Sequence, residues 1–105
     1  MIISGGVNIY PQEVENELTM HPSVSDVAVI GVPNTDLGEE VKAIIIPAAG
    51  SVPGPELALQ LIEYCRSRLA HFKCPVSVDF VEELPRLPTG KLLKRQIRSQ
   101  YWPQA

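Results

Sequence analysis

Two segments rich in β-branched and apolar residues, 24–32 and 41–46, are separated only by a short connector that contains Gly38. Val and Ile favour extended backbone, and a connector of this length usually joins two strands as an antiparallel pair. We therefore expect the fold to be built around a two-stranded antiparallel unit. The 105 residues of the chain allow one modest hydrophobic core around it, which predicts a single domain.

Shorter elements are predicted around these strands from local patterns. Gly5 and Gly6 accept the positive φ angles of a tight turn, so residues 2–9 are expected to form a β-hairpin. The other predicted elements are a helix over 11–21, a helix around 57–69, a third strand over 76–81 and a basic helix over 91–101 capped by Thr89. This order predicts an α+β fold, with about three helices packed on a small, mainly antiparallel sheet.

Composition excludes several classes of protein. The chain is 45% hydrophobic and 20% charged, close to the globular average, which argues against disorder and against a coiled coil. It has no run of about 20 apolar residues, and its first residues do not resemble a signal peptide, so we expect a cytoplasmic location without a transmembrane segment. The two cysteines and two histidines lack zinc-site spacing, and we expect no metal site and no disulfide framework.

The net charge of −3 is unevenly distributed. Residues 1–72 contain three basic and nine acidic side chains, whereas residues 73–105 contain six basic and three acidic ones. Most of the basic residues lie within 86–98, where they suit the phosphates of a nucleic acid or of a small cofactor, the alternative being a solvated helix face. Nucleic acid is not the expected partner, because the chain is acidic overall and lacks aromatic residues interleaved with the basic ones.

Residues 85–91, with the sequence PRLPTGK, are the most unusual stretch of the chain. They are not a Walker phosphate loop, which needs glycine at the first of these positions and serine or threonine where the chain has Leu92. Lys91 nevertheless follows a flexible glycine, and a protonated ammonium there is suited to a phosphate or a developing oxyanion. No nucleophile–base pair is recognisable, so these residues alone do not define an enzyme.

Motifs spread over the whole chain resemble one known family. In family order, they are 4–15 (SGGVNIYPQEVE), 21–22, 29–33, 38–39, 69–75 and 85–91. The chain is similar to the carboxyl-terminal domain of acyl-CoA synthetases, in the adenylate-forming superfamily that includes luciferases and peptide-synthetase adenylation domains. Residues 8–11 resemble fatty-acyl and medium-chain CoA ligases more than amino-acid-activating domains.

The resemblance implies the two-step reaction of a ligase. A carboxylic acid, expected to be a fatty acid, reacts with ATP and Mg²⁺ to give an acyl-adenylate and pyrophosphate, and the thiol of coenzyme A then displaces AMP. In this family a larger amino-terminal domain binds the acid and ATP, and a small mobile domain rotates between the steps. The resemblance identifies residues 1–105 as that mobile domain, with the amino-terminal domain as its partner. The fragment alone is expected to be inactive and to bind no cofactor.

The resemblance also assigns roles to individual residues. The predicted sites are Lys91 as the catalytic lysine of adenylation, Thr89, Gly90 and Lys91 for the nucleotide, and Ser4, Gly5 and Gly6 for coenzyme A, with Arg66 and Lys73 as weaker candidates for coenzyme A. Two alternatives remain, an adenylation domain and a stand-alone interaction module of the same fold, both without CoA ligase activity. In the interaction module, Lys91 would not be needed for activity.

Overall fold

The computed structural model describes residues 1–103 and contains a five-stranded sheet with three helices. The elements in chain order are β1 Ile2–Ser4, β2 Val7–Ile9, α1 Pro11–Thr19, β3 Val24–Asn34, β4 Gly38–Pro47, α2 Pro55–Arg66, a short 3-10 helix His71–Lys73, β5 Ser77–Phe80 and α3 Lys94–Ser99. The α+β class and the leading hairpin are therefore confirmed. No helix in the described part is long and apolar enough to cross a membrane.

The sheet is mainly antiparallel and has the strand order β2-β1-β4-β3, with β5 paired in parallel to β4. Strands β3 and β4 are both longer than predicted, and they pair as far as Asn34 and Gly38. The turn between them is short because the Asn34 side-chain oxygen accepts hydrogen bonds from the amides of Asp36 (2.9 Å) and Leu37 (2.8 Å). Within residues 1–103, β3 pairs only with β4 and is an edge strand of the sheet.

Helices cover both faces of the sheet, which explains why β3 is buried over most of its length. Successive side chains of a strand point to opposite faces. Val27 and Val29 belong to the core that α1 and α2 cover. Ala28 and Ile30 belong to a second core, which α3 covers through Ile97.

The last helix differs from the prediction. It spans Lys94–Ser99 instead of 91–101, and no side chain caps it, so Thr89 is not its N-cap. The chain before it remains extended because Arg86 and Leu92 form an antiparallel bridge. Leu92 also packs against the core beneath α3, which favours this arrangement over another helical turn.

Candidate functional site

Lys91 lies in a small hairpin formed by residues 85–93, here called the lysine hairpin. The amide of Gly90 donates a hydrogen bond to the Leu87 carbonyl at 2.8 Å, and the Leu87 amide donates to the Lys91 carbonyl at 2.9 Å. Pro88 occupies the second position of this turn and Gly90, with a φ of 95°, the fourth, as such turns favour. The exposed Lys91 therefore follows directly after a closed turn.

An arginine joins the lysine hairpin to β3. The Arg86 guanidinium donates two hydrogen bonds to the Asp26 carboxylate, from Nε at 3.0 Å and from Nη2 at 2.6 Å. Its Nη1 donates a third hydrogen bond to the Gly90 carbonyl at 2.5 Å. Hydrogen bonding to Asp26 raises the pKa of Arg86 above its ordinary value. We call these three residues the Arg86 bridge.

A second ion pair joins the beginning of α3 to α1. The ammonium nitrogen of Lys94 lies 2.8 Å from Oε2 of Glu15, and the same oxygen accepts a hydrogen bond from the Val29 amide at 2.8 Å. Glu15 is the one charged residue that is buried among residues 1–103. Because β3 is an edge strand, this carboxylate supplies an acceptor that a neighbouring strand would otherwise provide.

Both ion pairs line one open cavity of about 800 Å³. Its cationic lining residues are Arg86, Lys91, Lys94 and Arg95. Asp26 neutralises Arg86, and Glu15 neutralises Lys94. In the described part of the chain, neither Lys91 nor Arg95 lies in an ion pair. The cavity therefore has surplus positive charge that suits an anionic ligand.

The glycine hairpin, formed by β1, β2 and the turn at Gly5 and Gly6, has the predicted geometry. The two glycines have φ angles of 57° and 82°, and a two-residue turn with positive φ at both central positions matches the twist of its strands. The Gly5 amide donates a hydrogen bond to the Leu37 carbonyl at 2.9 Å, which joins this turn to the β3–β4 turn. Ser4 and Gly5 line a cavity of about 320 Å³ beside the exposed Phe72.

The predicted site residues thus fall into two separate groups. Gly90 and Lys91 line the larger cavity, and Ser4 and Gly5 line the smaller one. The two cavities have no lining residue in common. Thr89 lies exposed in the turn of the lysine hairpin.

The weaker candidates for coenzyme A, Arg66 and Lys73, line neither of these two cavities. Lys73 forms an ion pair with Glu13, with 2.7 Å between Nζ and Oε1, and Arg66 is exposed at the end of α2. Residues 1–103 contain no group of three or more His, Cys, Asp or Glu side chains that could hold a metal ion.

Asp26 and Glu15 are parts of the site that the sequence does not predict. Asp26 is 60 residues from its partner Arg86 in the sequence, and such pairings have no local signature. Glu15 could have been noticed in the sequence, because it is a charged residue adjacent to Val14 on the apolar face of α1. A buried acidic residue of this kind requires a partner.

Comparison with known proteins agrees with the resemblance seen in the sequence. Residues 13–91 match the AMP-binding enzyme C-terminal domain family. The chain is 50% identical over 102 residues to a feruloyl-CoA synthase of Amycolatopsis sp, covering 96% of this chain and 20% of the relative. It is 48% identical over 101 residues to a long-chain-fatty-acid–CoA ligase of Mycobacterium tuberculosis, covering 96% and 19%.

A solved structure gives the same result. ATP-bound MatB from Rhodopseudomonas palustris superimposes with a TM-score of 0.85 at 39% identity, over 94% of this chain and 19% of that one. The chain therefore spans about a fifth of the length of the curated relatives it matches.

Proposed function

Because the chain belongs to the family of AMP-binding enzyme C-terminal domains, we propose that it is the mobile carboxyl-terminal domain of an AMP-forming acyl-CoA synthetase. The whole enzyme activates a carboxylic acid with ATP as an acyl-adenylate, releases pyrophosphate, and transfers the acyl group to the thiol of coenzyme A. Its amino-terminal domain binds the acid and ATP, so the 105-residue chain alone is inactive. The observation that carries this proposal is the exposed Lys91 beside an open, positively charged cavity.

Lys91 acts in the first step. When the substrate carboxylate attacks the α-phosphorus of ATP, negative charge develops on the phosphoryl oxygens and on the leaving pyrophosphate. An ammonium held beside these oxygens stabilises the transition state more than the ground state. The neighbouring Arg86 and Lys94 contribute less, because carboxylates already neutralise them.

The glycine hairpin acts in the second step. After the domain has rotated, Ser4, Gly5 and Gly6 lie along the path of the pantetheine arm, where backbone without side chains permits close approach. The two cavities have no lining residue in common, which supports the proposal that the domain presents a different surface in each step. Mg²⁺ accompanies ATP in this chemistry. The described residues of this domain do not form a metal site, so we propose no role for them in binding the ion.

Half-reaction assays on the full-length parent enzyme test the proposal. Lys91→Ala should slow pyrophosphate release by about 100-fold or more and leave thioester formation from synthetic acyl-adenylate and coenzyme A unchanged. Arg68→Ala is the matched control, because Arg68 is an exposed cation that pairs with Glu17 at 3.8 Å and does not line the Lys91 cavity. The acid panel includes medium-chain and long-chain fatty acids and ferulate, and we expect a fatty acid to be preferred.

Each other outcome has a definite meaning. Equal loss of both half-reactions in Lys91→Ala would indicate misfolding or blocked rotation and would contradict the role assigned to Lys91. Full activity of that variant would favour an interaction module of the same fold. A preference for ferulate would replace the fatty acid by an aromatic acid.

A further inference from the structure

The Arg86 bridge connects two parts of the chain that are 60 residues apart and meets the backbone next to Lys91. One guanidinium donates to both oxygens of Asp26 and to the carbonyl of Gly90, the residue immediately before Lys91. A guanidinium is a planar group with fixed donor directions, so three hydrogen bonds to two partners define its position and orientation.

We propose that Arg86 is a positioning residue for Lys91, because it fixes the Gly90 carbonyl relative to Asp26 and thereby fixes where the Lys91 side chain begins. This inference rests on the role of Lys91 proposed above and deepens it. The backbone that carries the Lys91 side chain is placed before the nucleotide arrives, and Asp26 becomes a functional residue although it need not touch the substrate.

Asp26 is itself well fixed. Its Oδ1 accepts a hydrogen bond from the Val27 amide at 2.9 Å, in addition to the bond from Arg86. The pairing of β3 with β4 shifts its register between Val24 and Asp26, which marks a bulge at this end of the strand. Bulges often redirect a side chain near a functional site, and here the redirected carboxylate receives the guanidinium.

Exposure argues that the Arg86 bridge does not serve mainly to stabilise the fold. The side chains of Arg86 and Asp26 are 37% and 31% exposed, and ion pairs exposed to that extent contribute little to the free energy of folding. Catalysis is more sensitive to position, since a displacement of about 1 Å of a reacting group can reduce the rate by about 100-fold. The expected effect of breaking the bridge is therefore on the rate of adenylation.

The test uses Arg86→Ala, Asp26→Asn and the double variant in the full-length parent enzyme, with the half-reactions measured separately. Each single variant should lower kcat for pyrophosphate release by about 10-fold or more, with KM for ATP changed less than about 3-fold. The double variant should be no slower than the singles, because both changes remove one bridge. Thioester formation and the melting temperature should match those of wild type and of the Arg68→Ala control.

Comparison with Lys91→Ala separates this inference from the proposed function. Adding Asp26→Asn to Lys91→Ala should cause no further loss, since Asp26 acts through Lys91. If Lys91→Ala is itself fully active, the proposed function fails. If Lys91→Ala is inactive in adenylation while the Arg86 and Asp26 variants are normal, only the positioning role fails.

Two further results would also overturn the positioning role. A loss in Arg86→Ala without a loss in Asp26→Asn would show that the guanidinium acts on the substrate directly. Parallel losses in both half-reactions, accompanied by a lower melting temperature, would show that the bridge is structural only.

Discussion

The buried carboxylate of Glu15 lies 2.8 Å from the ammonium nitrogen of Lys94 and joins α1 to the first residue of α3. The same oxygen accepts the Val29 amide, so one side-chain atom connects two helices and the edge strand. α3 has six residues and is too short to be stable alone. Its position therefore depends on this contact and on the burial of Ile97.

Glu15→Gln should lower the free energy of unfolding by about 1–2 kcal/mol, because the amide keeps the bond to the Val29 amide but loses the charge that pairs with Lys94. Urea denaturation of the 105-residue chain measures this loss. Glu17→Gln is the control, since Glu17 is paired with Arg68 at 3.8 Å near the surface and should cost less than about 0.5 kcal/mol. Equal effects of the two changes would contradict a special role for Glu15.

Local chemistry explains which parts of the fold could be predicted. The turn at Gly5 and Gly6 needs positive φ at both positions, and glycine is the residue that supplies it without strain. The strands β3 and β4 are rich in Val and Ile and are joined by one short turn. Their extension to Asn34 depends on hydrogen bonds to its side chain, which the hydrophobic pattern does not contain.

The turn of the lysine hairpin has local signals in Pro88 and Gly90, but the extended segment that follows it could not be predicted, because its packing partners are distant in sequence. The sequence after Gly90 is compatible with a helix, and it contains several basic residues that fit one exposed helix face. Instead, the antiparallel bridge between Arg86 and Leu92 and the packing of Leu92 keep the segment extended. The parallel pairing of β5 with β4 has the same origin, since no local signal specifies a strand's partner.

The two cysteines provide a test of the core. Cys65 and Cys74 are both buried free thiols. Burial, with a smaller contribution from Cys74, raises the pKa of Cys65 to about 12, so almost no thiolate is present near pH 8. Iodoacetamide should modify Cys65 at least about 100-fold more slowly in the folded chain than in urea, as followed by mass spectrometry. Rapid labelling of Cys65 without denaturant would contradict the packing of α2.

Asp79 makes the stability of the folded state depend on pH in the acid range. Burial favours a higher pKa for Asp79, but hydrogen bonds from Tyr101 and Lys42, together with the Lys42 charge, outweigh burial and lower its pKa below 3.8. The folded state is thus stabilised above pH 3.8, and this contribution is lost as the pH falls through the lowered pKa. Asp79→Asn should reduce the loss of stability between pH 5 and about pH 2, measured by urea denaturation.

Tyr101 makes the stability of the folded state depend on pH in the alkaline range. Burial and the hydrogen bond to Asp79 raise the pKa of Tyr101 above its ordinary value of 10.0. The contribution of Tyr101 to the free energy of unfolding is therefore present below pH 10 and is lost as the pH rises through the raised pKa. Tyr101→Phe should therefore flatten the decline in stability above pH 10. Asp36→Asn, at an exposed turn position, is the control and should keep the wild-type slope on both sides. An unchanged profile in Asp79→Asn and Tyr101→Phe would contradict this account.

The glycine hairpin provides a prediction that mirrors the one for Lys91. A Cβ atom at Gly6 would meet no atom within 4 Å, so Gly6→Ala strains the backbone, by about 1–2 kcal/mol, without a collision. A Cβ at Gly5 would also approach Leu37 at 3.1 Å. In the full-length parent enzyme, Gly5→Ala and Gly6→Ala should each slow thioester formation by about 10-fold or more and leave pyrophosphate release unchanged.

Gly50→Ala separates this effect from backbone strain alone. Gly50 has a φ of 87°, and a Cβ atom there would likewise meet no atom within 4 Å, so the strain matches that of Gly6→Ala at a distant loop. If Gly50→Ala slows thioester formation equally, the loss reflects destabilisation of the domain and the glycine hairpin has no specific role. If only the hairpin variants lose the second half-reaction while Lys91→Ala loses only the first, two surfaces of one small domain act in two successive steps.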